Sequence, residues 1–340
     1  MTPPNHKTAF ANVALGLLCL AYAYWTLSRR AEAFGIGTTH ASTNTTGCYQ
    51  FGKVLSLVEF DHGSGSFRPF TQELRVHGFD IYWDSLEPTL LTFAVVNHQQ
   101  SGSGVSIFRH RIGTKVLWHV KTVKSPLLYA PNDVVATSHN TFYATNDMRS
   151  TNSIMRKIEI FFGMPWGHIV HYNHAGVFSV AASGISYPNG IARSADGSSV
   201  YVAASSEPSV IVFRPAVDGT LEPMGKTVFR DFIPDNVSVD TATGQVLVAG
   251  FLNTFEMFRY NREVLGGTSA RPAGAVRRLR PLADPRKGFA EESVLTHDGA
   301  LLPATTSATL QRRSGTQRIL LGSVMANHIA ICRVGDSARA

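Results

Sequence analysis

Asn189-Gly190-Ile191-Ala192, the turn Ala195-Asp196-Gly197-Ser198, then Val200-Tyr201-Val202-Ala203 and Val210-Ile211-Val212-Phe213 decide the fold. Three short runs rich in β-branched and aromatic residues are separated by turn residues, and Asp-Gly is a strong hairpin signal. The order recurs outward in both directions. One copy starts at Asn132-Asp133-Val134-Val135-Ala136 and continues through Thr141-Phe142-Tyr143-Ala144 to Ile169-Val170-His171-Tyr172. Others open at His77-Gly78-Phe79-Asp80, Asn236-Val237-Ser238-Val239 and Glu292-Ser293-Val294-Leu295. The openings at 77, 132, 189, 236 and 292 lie 47–57 residues apart. A unit of that size built from about four short strands is the signature of a β-propeller blade. No long stretch carries the 3.6-residue period of a helical fold.

Composition agrees. The 340 residues are 44% hydrophobic and 16% charged. About 25% charged is usual, so disordered, coiled-coil and helical-solenoid readings are excluded. The formal net charge is +7, and much of the excess lies at Arg271, Arg277, Arg278, Arg280, Arg286 and Lys287 among Pro, Gly and Ala. That layout reads as a solvated basic loop, so no nucleic-acid partner is expected.

Residues 10–27 are an apolar run with Lys7 before it and Arg29 and Arg30 after it. Its length suits a short membrane-spanning helix or the core of a signal peptide. No small-residue cleavage site follows closely, so residues 1–30 are read as an uncleaved anchor, with a cleaved, secreted form as the alternative. Asn44-Thr45-Thr46 is a glycosylation sequon in a Ser/Thr-rich linker over 31–47. Cys48 and Cys332, near the two ends of the remaining chain, suggest a closing disulfide in an oxidising compartment. The propeller domain is placed at 48–334, in the secretory lumen or outside the cell, with a tail at 335–340.

The first strand of a propeller blade lines the central channel. Asn132, Asn189 and the pair Asp235-Asn236 therefore aim at one axis from three blades. Carboxamide and carboxylate oxygens without nitrogen or sulfur donors suit Ca²⁺.

On Pro131-Asn132-Asp133-Val134-Val135-Ala136, Phe142-Tyr143-Ala144-Thr145-Asn146-Asp147, Pro188-Asn189-Gly190-Ile191, Asp235-Asn236-Val237-Ser238-Val239-Asp240 and Val95-Val96-Asn97-His98, the chain resembles the serum paraoxonase/arylesterase family of six-bladed calcium hydrolases. The resemblance runs from about Cys48 to Val334. It implies that Asn132, Asn189, Asp235 and Asn236 bind a catalytic calcium, with Glu59 as a further carboxylate ligand. It also implies that Asp133 binds a second, structural calcium, that His77 and His98 activate water, and that Cys48 and Cys332 are bonded.

The chain departs from the family in two places. Phe60 stands where an Asp ligand of the structural calcium is expected, and only 18 residues separate Glu59 from His77. A four-stranded blade needs about 40. The expected fold is thus an all-β six-bladed propeller with five legible blades and a truncated first one, leaving apolar sheet faces exposed.

No G-x-S-x-G elbow, H-E-x-x-H or C-x-x-C is present. The expected activity is calcium-dependent hydrolysis of a small ester or lactone by His-activated water. The alternatives are a calcium lactonase of the gluconolactonase type and a catalytically impaired propeller, either acting as a binding module or persisting as a truncated product.

Overall fold

The computed structural model describes residues 56–61, 64, 66–150, 152–263, 270–281, 288–313, 316–324, 326 and 328–333. The expected anchor over 10–27, the linker with Asn44, Cys48 and the 335–340 tail lie outside the described residues. Among the described residues, no helix is long and apolar enough to cross a membrane.

Among the described residues, the chain forms an all-β propeller with five blades. The first sheet runs β3 (Val76–Trp83), β4 (Leu90–Gln99), β5 (Gly102–Arg111), β6 (Val116–Val123), then β1 (Ser56–Asp61) and β2 (Ser66–Pro69) at its outer edge. The second is β7 (Pro131–Ala136), β8 (Phe142–Asn146), β9 (Gly167–Tyr172) and β10 (Phe178–Ile185). The third is β11 (Pro188–Arg193), β12 (Val200–Ala204), β13 (Ser209–Pro215) and β14 (Leu221–Val228). The fourth is β15 (Ile233–Val239), β16 (Val246–Phe251), β17 (Gly274–Pro281) and β18 (Phe289–His297). The fifth holds β19 (Ser307–Arg313), β20 (Thr316–Gly322) and β21 (Ala330–Arg333). Among the described residues, helices α1 (Ser153–Phe161) after β8 and α2 (Thr254–Glu263) after β16 interrupt the strands.

Blades stack face to face, and this explains the strand compositions. The second strand of each blade has a neighbour on both faces, so β8, β12 and β16 are buried along their whole length; β12 and β16 read as unbroken apolar runs, and β8 is apolar up to the buried Thr145-Asn146 at its channel end. The outer strands face water on one side, so β10, β14 and β18 mix polar and apolar residues. Core clusters fill each gap between consecutive sheets: Val96, Ile107, Val134 and Phe142 between the first two, Tyr143, Val202 and Phe213 between the next. Phe232, Val246 and Leu279 follow, then Leu247, Leu310 and Leu321. Each fully buried side chain of this kind stabilises the fold by about 1.5–3 kcal/mol.

The truncated blade survives as the β1–β2 hairpin. β1 pairs in parallel with β6, extending the first blade outward rather than forming a sheet of its own. The outward face of the first blade is not bare, contrary to the expectation of an exposed apolar surface there. Leu91, Phe93, Val95, Phe108 and Leu117 are buried beneath Leu57, Phe70 and Leu74. The Phe70 ring meets Phe108 edge-on at 5.6 Å. The segment joining β2 to β3 is long enough to lay two side chains over the face that a missing sheet would cover. The innermost strands pack in the series β3, β7, β11, β15, β19. Comparable packing of β19 on β3 does not occur among the described residues.

Candidate functional site

Four innermost strands carry the same irregularity at the same place. In each, three residue steps on the inner strand oppose two on its neighbour. The pairs Val76↔Asn97 and Phe79↔Val95 bracket His77-Gly78, and Pro131↔Asn146 and Val134↔Ala144 bracket Asn132-Asp133. Pro188↔Ala204 and Ile191↔Val202 bracket Asn189-Gly190, and Pro234↔Gly250 and Val237↔Val248 bracket Asp235-Asn236. A β-bulge releases two residues from the ladder and re-aims their side chains. The dipeptides singled out in the sequence are the bulged ones. A preceding proline in three of the strands fits, because proline cannot donate to the ladder there.

The bulged side chains meet. Asn132 Nδ2 donates to Asp147 Oδ2 at 3.1 Å, Asn189 Nδ2 donates to Ser205 Oγ at 3.2 Å, and Asn236 Nδ2 donates to the Thr306 carbonyl at 2.8 Å and to Asp235 Oδ1 at 3.2 Å. Asn189 also hydrogen-bonds the Asp235 carboxylate. Tyr187, half-buried two residues before Asn189, hydrogen-bonds Asp147 and lies within electrostatic range of Asp235. Its φ of 55° puts a non-glycine residue in the left-handed region, a strain characteristic of functional sites. The structure therefore brings Asn132, Asn189, Asp235 and Asn236 into one connected group.

All three carboxamides spend their NH₂ groups on protein acceptors. Their Oδ1 atoms accept no hydrogen bond among the described residues. Burial lifts Asp235 to about 7 and Asp147 to about 6; the Arg156 guanidinium partly offsets Asp147, whereas Asp235 has only the Asn189 hydrogen bond to oppose its burial. Three unengaged amide oxygens beside an uncompensated carboxylate make a donor set suited to a hard divalent cation. Among the described residues, no group of three or more His, Cys, Asp or Glu side chains is arranged to hold a metal, so a cation here would depend on the amide oxygens.

His77 and His98 line a cavity of about 230 Å³ beside this group, with Asp147, Ser150 and Arg156. His77 Nδ1 and His98 Nε2 lie 3.2 Å apart, and His98 Nδ1 is 2.9 Å from Ser103 Oγ. Surrounding protein lowers His77 to about 4, with His98 adding to the effect, and burial also lowers His98. Both rings are therefore neutral at pH 7.

Glu59 is not brought to this group. It stands on β1, opposite His119 of β6, at the outer edge of the first blade. There it accepts from Arg68 Nε at 3.0 Å, Thr71 Oγ1 at 2.9 Å and Gln72 Nε2 at 3.2 Å, and the Thr71 bond leads in lowering its pKa. Phe60 beside it is 43% exposed. The physical reason is the short chain between Glu59 and His77, which folds as a hairpin and a covering strip and never returns to the axis. Asp133 lies deeper in the channel, where its Oδ2 accepts from Ile191 N at 3.0 Å, Gly78 packs against its other oxygen, and burial lifts it to about 7. No residue of the β1–β2 hairpin is among its partners. The charged groups near it are Asp80 and Asp235, with the Arg193 guanidinium facing Asp80. The residues present do not reproduce the second calcium site that the resemblance implies.

Sequence reasoning missed Asp147, Tyr187 and Arg156. Asp147 ends the segment Phe142–Asp147 already singled out. Tyr187 precedes the Pro188-Asn189 bulge, and only its positive φ marks it.

The arylesterase family model matches residues 64–332. Serum paraoxonase/arylesterase 1 of Rattus norvegicus is 31% identical over 258 residues, covering 75% of this chain and 67% of the relative. Serum paraoxonase/lactonase 3 of Oryctolagus cuniculus is 31% identical over 248 residues, covering 73% and 66%. The chain spans about two thirds of the length of the curated relatives it matches.

Proposed function

This chain belongs to the arylesterase family, and from that premise we propose that it is a calcium-dependent hydrolase of small carboxylic esters or lactones. The observation that carries the reading is the set of bulges that turn Asn132, Asn189, Asp235 and Asn236 toward one place, with three amide oxygens unengaged. These four residues would hold the calcium ion, which when bound polarises the substrate carbonyl.

The chain's own residues do the rest. Neutral His77 accepts the proton of a water molecule, and His98, hydrogen-bonded to Ser103, fixes the tautomer and position of that ring. The water oxygen adds to the carbonyl carbon and the bond to the alkoxide oxygen breaks. The proton held at His77 passes to that alkoxide, leaving an alcohol and a carboxylic acid that ionises. The bulged backbone pre-positions these groups, so no reorganisation is needed as charge develops. Anchoring through residues 10–27, glycosylation at Asn44, a Cys48–Cys332 bond and a lumenal or extracellular site belong to the same proposal.

A second reading, a propeller that binds but does not turn over, is favoured by one observation: Glu59 lies at the blade's outer edge. Hydrolysis of phenyl acetate and γ-butyrolactone with and without a calcium chelator separates the two. Turnover that is lost with chelator and restored by added Ca²⁺ is expected. Absence of turnover in saturating Ca²⁺ supports the binding module, and chelator-resistant turnover contradicts the calcium reading.

A further inference from the structure

We propose that the cavity beside His77 and His98 selects an acidic substrate, a small lactone or ester carrying a carboxylate, which Arg156 of α1 receives. The inference rests on the hydrolase reading above and names the substrate class for that site.

The cavity holds about 230 Å³, below the roughly 300–1,000 Å³ usual for drug-sized ligands. That admits a single five- or six-membered ring with a small substituent. Ligand pockets are ordinarily lined mainly by apolar and aromatic groups. Here the wall presents His98, Ser103, Tyr129, Asp147, Ser150 and Arg156, with Ala130 and Pro131 as its only aliphatic members. A lipophilic substrate entering it would strip water from hydroxyl, imidazole and guanidinium groups without replacing their hydrogen bonds, and that costs free energy.

Arg156 gives the charge preference. Its Nε is directed at the Met148 sulfur at 3.1 Å, and it makes no ion pair among the described residues. Its field reaches His98 and Tyr187 and offsets the Asp147 carboxylate on the same wall, which places the cation at the reacting end of the cavity. The guanidinium fork matches carboxylate geometry bidentately. The local structure holds it there. Asn152 caps α1 by accepting from Ile154 N and Met155 N. Buried Glu159, one turn on from Arg156, accepts from Arg149 N and Ser150 N at 2.8 Å each. That clamp fixes the loop carrying Ser150 against the helix carrying Arg156, so the hydroxyl and the cation keep a constant spacing.

The test compares two lactones that differ in one group: 5-oxotetrahydrofuran-2-carboxylate and γ-valerolactone, which has a methyl in place of the carboxylate. In calcium-containing buffer the acidic lactone is expected to have kcat/KM about tenfold higher, mostly through KM. In Arg156→Gln the ratio should fall to about one, and Arg156→Lys should keep part of it. A readout independent of turnover accompanies this, namely thermal unfolding with millimolar 2-hydroxyglutarate or 4-hydroxypentanoate, the two ring-opened products. 2-Hydroxyglutarate should protect the wild type more, and Arg156→Gln should abolish the difference. Hydrolysis of γ-valerolactone at an equal or higher rate, with equal protection by the two acids, overturns the inference and leaves the hydrolase reading intact. Selective protection by 2-hydroxyglutarate without turnover of either lactone upholds the acidic site and overturns the hydrolase reading.

Discussion

Asn132 Nδ2 donates to Asp147 Oδ2 at 3.1 Å, and this bond decides which end of the Asn132 amide faces its bulged neighbours. With the NH₂ held by the carboxylate, the amide oxygen is the end left for a cation. Groups that orient ligands from behind typically account for 10–100-fold in metal affinity. Asp147→Ala should therefore weaken calcium binding by about that factor while leaving all four proposed ligands in place. Titration calorimetry with CaCl₂ on the two proteins measures it, and unchanged affinity would sink the orienting role.

Gly190 is wedged against the fourth blade. A Cβ there would lie 2.4 Å from Asn236 Cα and 2.9 Å from the Asp235 carbonyl, both backbone atoms that cannot swing aside. Gly190→Ala should destabilise the protein by roughly 1–3 kcal/mol or more and spread β11 from β15. Denaturant unfolding, with calcium affinity read on the same samples, checks both effects.

The fold was legible where packing and pattern coincide. β12 and β16 are apolar throughout, and β8 is apolar up to Thr145-Asn146, because sheets cover both their faces, and hairpin turns such as Asp196-Gly197 punctuate them. Asn132, Asn189 and Asp235-Asn236 were legible because each opens an innermost strand. The bulges were not, since an extra residue leaves no mark in a strand of four to eight residues beyond the prolines before it. Glu59 was misplaced because its spacing from Cys48 was legible but the path of the shortened chain was not. The covering role of Phe70 and Leu74 depends on tertiary contact with Phe93 and Phe108, which local pattern does not encode.

That cover gives its own prediction. Phe70→Ala uncovers the buried outward face of the first blade and should cost about 2–3 kcal/mol, below the roughly 3–5 kcal/mol of a fully buried Phe because Phe70 is partly exposed. Phe67→Ala, 54% exposed on the neighbouring hairpin, should stay within about 0.5 kcal/mol. Equal effects from the two would show that the hairpin and the strip are not distinct in role.

Burial of the channel carboxyls sets a pH dependence in metal-free protein. Asp133 and Asp235 at about 7, and Asp147 at about 6, lie above the unfolded carboxyl value near 3.9. A carboxyl raised in the folded state contributes stability that is complete below its unfolded pKa and is lost as pH rises through its folded pKa. His77, lowered to about 4, has the opposite slope: its contribution is present above about 6.5 and is lost as pH falls toward 4. Three carboxyls outweigh one imidazole, so the chelator-treated protein should lose a few degrees of Tm between pH 5 and pH 8. Millimolar Ca²⁺ should cancel the loss, because a bound cation favours the ionised carboxylates. A Tm that rises with pH in chelator contradicts this reading.

The most direct test of the calcium site is a crystal of the protein grown in calcium chloride, with anomalous differences recorded for the bound ion. One peak is predicted among the side-chain oxygens of Asn132, Asn189, Asp235 and Asn236, at about 2.3–2.6 Å from each ligating atom. A channel without a peak there, or an ion held instead at Glu59 on the outer edge of the first blade, would contradict the account.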